Sequence, residues 1–401
     1  MSTSVLYHAF NLKGITYRAT RFTGDVIEYF ADVKEEYIRC PKCGQRKFTF
    51  KGQKTRSFHL GPMGRKRCFL VLSLHRIKCN TCDTLWWPDL PFMVGKHRFA
   101  RSFALIVLDL LRFGTIRWVA DYLGVGWDMI KEIHKLKLQR LYRNIPLHKV
   151  RYIGIDEFSI RKGHEYMTTV MDLSEGRILY ATEGKGKEGI LPFLKKLARK
   201  GKKLRAVAMD MGISFFSAVR EALPNIDVVF DRYHIMALMN QGIENLRRNH
   251  QKELDDTGKQ TLKGNRFLLL RNYDSLKPDH KERLDALMQA NQPLFVMHSM
   301  KEQLRLFWEI SEYSQAVTFL DTWCKDAMLA GIKELVKVAK TLSGYRTAIL
   351  NYFKHHITNA ALEGTNNKIK TLKRQAYGFR DMEYFKLRLY HLHTQRYSLT
   401  G

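Results

Sequence analysis

Apolar and polar positions recur with two different periods along this chain, and the changes of period divide it. Phe48-Thr-Phe50 and Cys68-Phe-Leu-Val-Leu-Ser-Leu74 have the apolar runs and alternation of short strands. From Arg101, and again over Thr115–Gly126 and Trp127–Arg143, apolar residues return every three or four positions, as on helices. A Gly-bearing turn separates the last two segments. Ala120, Leu123, Val125, Ile130 and Ile133 fit a small shared core. This is the helix-turn-helix pattern. After Pro146 the alternation resumes. Residues 150–160, 165–173 and 176–183 read as three strands joined by turns at Arg161–His164 and Ser174–Gly176. A helix over 188–200, a strand over 204–210, a helix over 213–223 and a strand over 226–230 follow. That order predicts an RNase H-like α/β fold. From Asp231 to about His355 the period is helical throughout, and 358–396 adds two helices broken at Tyr377-Gly378.

The expected fold class is therefore α/β and multidomain, with six segments. An N-terminal segment (1–36) precedes a zinc ribbon (37–92) and a helix-turn-helix (93–147). The first part of the RNase H-like core (148–236) is interrupted by an all-helical insertion (237–355), and C-terminal helices (356–401) complete it.

Cysteine placement is what turns the first strands into a ribbon. Cys40-Pro-Lys-Cys43 and Cys79-Asn-Thr-Cys82 are two C-x2-C pairs 35 residues apart, followed by Gly44 and Asp83, which suit a turn. Four such thiolates can surround one structural Zn²⁺ tetrahedrally. Cys68 breaks the pairing and reads as a core thiol.

Charge then points to the partner. The 401 residues carry 68 Lys and Arg against 39 Asp and Glu, a net charge of +29, and the first 150 hold 27 of those cations against 11 acids. A polyanion is the expected partner, nucleic acid first and an anionic membrane second. Between Gln45 and Arg67 stand Arg46, Lys47, Lys51, Lys54, Arg56, Arg65, Lys66 and Arg67 with no acid, a cationic loop expected to meet phosphates. Lys131, Lys135, Lys137 and Arg140 on the second helix of the helix-turn-helix are expected to do the same. No stretch is apolar enough to span a membrane and the N-terminus lacks a signal-peptide layout, so a cytoplasmic, nucleoid-associated protein is expected.

The catalytic candidates are acids at strand ends. In RYIGIDEFSI, Asp156 alternates with Gly154 and Phe158 on one strand face, where an ionised carboxylate loses hydration and needs a cation. Asp210 ends the fourth strand of the core, which in this fold lies beside the first. Two carboxylates brought together favour divalent cations between them, and oxygen ligands favour Mg²⁺ or Mn²⁺. Glu363 is the third candidate. At helical spacing it shares a face with Asn367, Lys370 and Arg374, joining an acid to phosphate-binding groups. Glu157 alternates to the opposite face. Asp231 and His234, just past the fifth strand, could support the site or touch DNA.

These motifs, in this order, resemble the ISL-three family of bacterial insertion-sequence transposases: Gly-Ile-Asp156-Glu, Met-Asp210-Met, Asp231-Arg-Tyr-His234 and Leu-Glu363-Gly-Thr-Asn-Asn-Lys-Ile-Lys370, behind a cysteine-paired module and a helix-turn-helix. The resemblance implies a DDE-type core with a helical insertion, and the 153 residues from Asp210 to Glu363 leave room for one. On that reading Asp156, Asp210 and Glu363 hold two Mg²⁺. The basic modules bind the element's terminal inverted repeats, and DNA ends are cleaved and joined to target DNA. A dimer or larger assembly on DNA is expected, because two ends are cut together. The rival readings are a zinc-ribbon DNA-binding regulator and a stand-alone RNase H-like nuclease.

Overall fold

The computed structural model of the chain describes residues 4–93, 97–161, 165–253 and 264–393. The chain forms two compact units, one up to Arg143 and one from Asn144.

In the first unit, helix α1 (Val5–Phe10) leads into strands β1 (Ile15–Thr23), β2 (Val26–Val33), β3 (Phe48–His59), β4 (Arg67–Cys79) and β5 (Leu85–Trp86). The sheet order is β1-β2-β4-β3, with β5 also on β4. The segment ahead of the cysteines thus supplies two strands, β2 running parallel to β4. The expected short strands are 12 and 13 residues long. Lys51, Lys54 and Arg56 consequently lie on β3, where a loop is predicted from the sequence. The physical reason is position. Central β4 buries every second residue through Cys68, Leu70, Leu72 and Leu74, so it alternates visibly, whereas edge strand β3 leaves most side chains in solvent and needs few apolar ones.

Helices α2 (Arg101–Leu110), α3 (Ile116–Leu123) and α4 (Trp127–Leu141) follow. Thr115 caps α3 by accepting from the Trp118 N–H, and Gly124 ends it in the left-handed conformation, φ 63°. Ala120, Leu123, Ile130 and Ile133 are buried together, with Val125 packed against them.

The second unit is built on β6 (Tyr152–Arg161), β7 (Glu165–Asp172) and β8 (Arg177–Glu183). These are followed by α5 (Lys187–Lys200), β9 (Ala206–Met209), α6 (Ile213–Ala222) and β10 (Asp227–Phe230). The order is β10-β9-β6-β7-β8, with β6, β9 and β10 parallel and β7 antiparallel to both of its neighbours. The turn predicted at Arg161–His164 falls partly outside the described residues, as does the chain beyond 393.

Helical segments α7 (Arg232–Glu253), α8 (Arg266–Leu270), α9 (Pro278–Ala290), α10 (Gln292–Leu306), α11 (Tyr313–Leu329), α12 (Lys333–Gly344), α13 (Arg346–Leu350) and α14 (Tyr352–His355) come next, and no strand interrupts them among the described residues. The chain ends on α15 (Ala360–Gln375) and α16 (Met382–His391). Helices cover both sheet faces. Ile153, Ile155, Val170 and Leu179 join the core shared with α5, α6 and the inserted helices, while Phe158, Met167, Ile178 and Ala181 pack on α15 and α16.

A buried ion cluster braces the inserted helices. Glu244, 5% exposed, accepts two bonds from Arg247, both at 2.9 Å, and one from Arg248 at 2.8 Å, with Arg266 Nε 3.4 Å away. Arg247 chiefly, opposed by burial, holds its carboxyl at about 2. A depressed carboxyl stabilises the fold above its unfolded value, near 4.3, and that contribution fades as pH falls from there toward 2. Glu244→Gln is expected to cost ~3 kcal/mol at neutral pH by leaving arginines unpaired. In urea titrations the gap from wild type narrows between pH 4.5 and 2; a constant gap contradicts the account.

Candidate active site

Asp156 shares a strand face with Gly154 and Phe158, the face that the C-terminal helices cover. Glycine at 154 permits the close approach of α15: a Cβ there would stand 2.3 Å from Leu362 Cδ1, a side chain with no exposure. Helix α15 is then tied along β6. Asn359 Nδ2 donates to the Ile155 carbonyl (3.3 Å), Asn366 Nδ2 to Asp156 Oδ2 (2.8 Å) and Lys373 Nζ to the Ser159 carbonyl (2.8 Å).

Strand β9 pairs with β6 up to Gly154 opposite Ala208, and Asp210 follows at its end. The Gly212 N–H donates to Asp210 Oδ1 at 3.1 Å. On the next strand the Asp231 N–H donates to the Met209 carbonyl at 3.1 Å, which brings Asp231 out beside Asp210. His234 Nδ1 lies 3.4 Å from Asp231 Oδ2, an ion-pair separation rather than a well-formed hydrogen bond.

Their charges act on one another. Loss of hydration pushes the Asp156 carboxyl above the ordinary aspartate range. The Asp210 charge pushes it further, against the Glu157 N–H (2.8 Å from Oδ1), the His234 ring and the Asn366 amide. Glu157, expected on the opposite face, is still within electrostatic reach. Burial raises its carboxyl, as do Asp210 and Asp156, while Lys185 opposes them. His234 is pushed up, first by Asp231 and then, against burial, by Asp210 and Asp156.

Glu363 is exposed, and so are Asn367, Lys370 and Arg374. The face of α15 turned to the sheet is one residue round from the expected one, marked by Leu362, Ile369 and Leu372 in the core and by Asn366 on Asp156. Asn359, Asn366 and Gly154 are site residues that charge-based reasoning passed over. The signal available for them was the apolar 362/369/372 spacing that fixes the inner face.

A divalent cation fits these residues. Asn359 Oδ1 and Asn366 Oδ1 are buried without a hydrogen-bond partner among the described residues, Asn366 being the amide that donates to Asp156. An all-oxygen donor set suits a hard cation such as Mg²⁺ or Mn²⁺.

The thiol cluster is tighter. Cys40, Cys43, Cys79 and Cys82 place their sulfurs within 4.8 Å of one another, the closest contacts being 3.5 Å; among the described residues they are the one set of three or more Cys, His, Asp or Glu ligands gathered so closely. Thiolates on a tetrahedral zinc, ~2.3 Å away, would sit ~3.8 Å apart. Both pairs turn back on themselves through left-handed residues, Gly44 (φ 72°) and Asp83 (φ 54°), whose N–H groups donate to the Cys40 and Cys79 carbonyls. The Thr84 hydroxyl, 3.2 Å from Cys82 Sγ, helps lower that thiol to about 6, while, against the Gln45 N–H, burial and the neighbouring thiols push Cys43 up to about 12, so the four sulfurs share protons that a metal would displace. Cys68 lies apart, 1% exposed in the core.

Of the cations, Arg46, Lys47, Lys51, Arg65, Lys66 and Arg67 are exposed, whereas Lys54 and Arg56 are half-buried, with Lys54 Nζ 3.5 Å over the Trp87 ring. On α4, Lys137 and Arg140 are exposed and Lys131 and Lys135 half-buried.

A family model described as the zinc-finger of transposases IS204, IS1001, IS1096 and IS1165 matches residues 36–82, and the ISL3 DDE model, described as transposase, matches residues 153–389. The chain belongs to the ISL3 family of transposases. This ISL3 transposase is 29% identical over 370 residues to the transposase for insertion sequence element IS1001 of Bordetella parapertussis, covering 91% of each chain. It is 24% identical over 383 residues to that for IS1557 of Mycobacterium tuberculosis, covering 85% of this chain and 82% of that one. A solved structure described as the Drosophila P element transposase strand transfer complex aligns with a TM-score of 0.35 at 11% identity, over 76% of this chain and 93% of that one. Among the described residues no helix is long and apolar enough to cross a membrane.

Proposed function

We propose that this ISL3 transposase cleaves the ends of a bacterial insertion sequence and joins the freed 3′-hydroxyls to target DNA at one site formed by Asp156, Asp210 and Glu363. The observation that carries the reading is the pairing of β6 with β9, which brings two acids 54 residues apart in sequence close enough for the charge of one to raise the carboxyl of the other. The strand order, three antiparallel strands followed by two parallel ones on the far side of the first, is that of an RNase H-like core. Helix α15 is anchored to β6 through Asn359, Asn366 and Lys373, and on this reading Glu363, exposed on the neighbouring face of that helix, joins the site when DNA and cations bind.

Within the site, Asp156 and Asp210 bind the cations, and Asn366 fixes the Asp156 carboxylate through its Oδ2. Two bound Mg²⁺ would supply charge stabilisation to both the attacking and the leaving oxygen of an in-line displacement. Asn367, Lys370 and Arg374, exposed beside Glu363, hold the phosphates. Asp231 and His234 form a neighbouring pair in which Asp231 first, and then the two aspartates, push the imidazole toward its protonated form. The four thiols hold a structural Zn²⁺, and the ribbon's cations with those of α4 bind the terminal inverted repeats as double-stranded DNA. Two copies act together, because both ends are cut in one event.

The test is cleavage and joining of repeat-ended DNA with Mg²⁺. Strand-transfer products support the proposal. Cleavage without joining returns the nuclease reading, and binding without cleavage returns the regulator.

A further inference from the structure

A second concavity opens one residue away from His234. It encloses about 330 Å³ between α7 and α8, at the lower end of the ~300–1,000 Å³ usual for small-ligand sites. Its α7 wall is a single helical face, Tyr233, Met236, Asn240 and Glu244, and its α8 wall presents Arg266 and Leu270. Each group has a distinct chemistry. Tyr233 at the start of the helix keeps 72% of its surface in solvent, its ring meeting that of His234 edge-on with centroids 5.5 Å apart. Asn240 Oδ1 is buried yet accepts no hydrogen bond among the described residues, so the wall holds an acceptor waiting for an N–H. Met236 and Leu270 supply an apolar wall, and Arg266, anchored by its 3.4 Å contact with Glu244, supplies a cation.

A planar ring to stack on tyrosine, an amino or ring N–H to satisfy a buried amide oxygen, and an anion for the guanidinium together describe a nucleotide. We propose that this cleft receives a nucleobase, stacked on Tyr233 and hydrogen-bonded to Asn240, with its phosphate at Arg266. On the transposase reading, on which this inference rests, the base comes from an unpaired nucleotide next to the cleaved phosphate. Tyr233 stands two residues after Asp231, whose N–H donates to the Met209 carbonyl beside Asp210, so the cleft begins near that acid. Stacking is tolerant of base identity, so the pocket recognises that a base is unpaired rather than which base it is.

The experiment uses the full chain and duplexes of the element's end carrying one unpaired adenine, scanned across the cleavage site, each compared with the same duplex bearing an abasic residue there. At one position the adenine duplex is expected to bind about tenfold more tightly. Tyr233→Ala erases that ratio, Tyr233→Phe retains it and Asn240→Leu reduces it. Phe295→Ala, an exposed aromatic outside the cleft, leaves it unchanged. In a second arm the binding of dAMP itself to the full chain is measured. If dAMP binds in a Tyr233-dependent way while no duplex position discriminates, the nucleobase site stands and its source is a free nucleotide. Equal binding of adenine and abasic duplexes at every position, without Tyr233-dependent binding of dAMP and with end binding intact, overturns the proposal. Failure of the transposase reading would look different: no Mg²⁺-dependent cleavage, with the adenine preference preserved.

Discussion

Asp156→Asn is expected to bind repeat-ended DNA within about twofold of wild type and to cleave it at least ~10³-fold more slowly, because one ligand to the charge-stabilising cations is lost while the DNA-contacting surface is untouched. Stability should move the other way. Asp156 is a half-buried carboxylate facing Asp210, and the fold raises its carboxyl through burial and then through that charge. A group whose folded carboxyl lies above its unfolded value destabilises the fold when ionised, a penalty present above the raised value and relieved as pH falls through it. Without divalent cations, the Asn variant should therefore unfold at higher temperature than wild type at neutral pH. The advantage should disappear as pH falls toward the ordinary aspartate range. It is tempered by geometry, because Asp156 accepts from both the Glu157 N–H and the Asn366 amide, and a single amide oxygen can face only one of them. Added Mg²⁺ should reverse the order of the two proteins. Thermal melts at two pH values, with and without Mg²⁺, check all of this, and unimpaired cleavage by the variant removes Asp156 from the chemistry.

The second large effect concerns the thiols. Cys40→Ser with Cys43→Ser should release one zinc per chain and free both turns, since metal binding at four-cysteine sites carries an apparent ~10–16 kcal/mol at neutral pH and is coupled to folding. The damage should stay local. Cys79 closes β4 opposite Phe48, but Phe58, Leu70 and Leu72 are fully buried further along the same strands and hold the sheet without the metal. Repeat binding should fall by at least ~10-fold, with a shallower dependence on salt as phosphate contacts near Arg46 and Lys47 are lost. Metal analysis that still finds one zinc per chain in the double variant contradicts the assignment.

What could be read from the sequence tracks how much a residue's environment is dictated by its own neighbours in the chain. The C-x2-C pairs with their turn residues, the Gly124 stop and the alternation of Ile153 and Ile155 are local signals, and the structure follows each. The length of β3 was hidden because an edge strand needs little apolar alternation. Of the two strands ahead of Cys40, β1 was hidden for a related reason, since it keeps almost every side chain in solvent, whereas β2 buries Ile27, Tyr29 and Ala31 in a legible alternation. At the candidate site, Asp156 within β6 and Asp210 just past β9 stood out as acids on otherwise apolar strands. Asn366 did not. Its role depends on which face of α15 meets β6, and that face is fixed by Leu362 settling over Gly154, a contact 208 residues apart in sequence. Charge spacing alone chose the adjacent face, which is the exposed one that carries Glu363, Lys370 and Arg374.

The central claim, that carboxylates from two neighbouring strands and a distant helix hold catalytic cations, is tested most directly by diffraction at the manganese absorption edge from crystals of the protein on repeat-ended DNA soaked in Mn²⁺. The account predicts anomalous peaks ligated by Asp156 and Asp210, with Glu363 completing the coordination of one of them. Manganese bound elsewhere, or Glu363 still in solvent with ions and DNA in place, would contradict it.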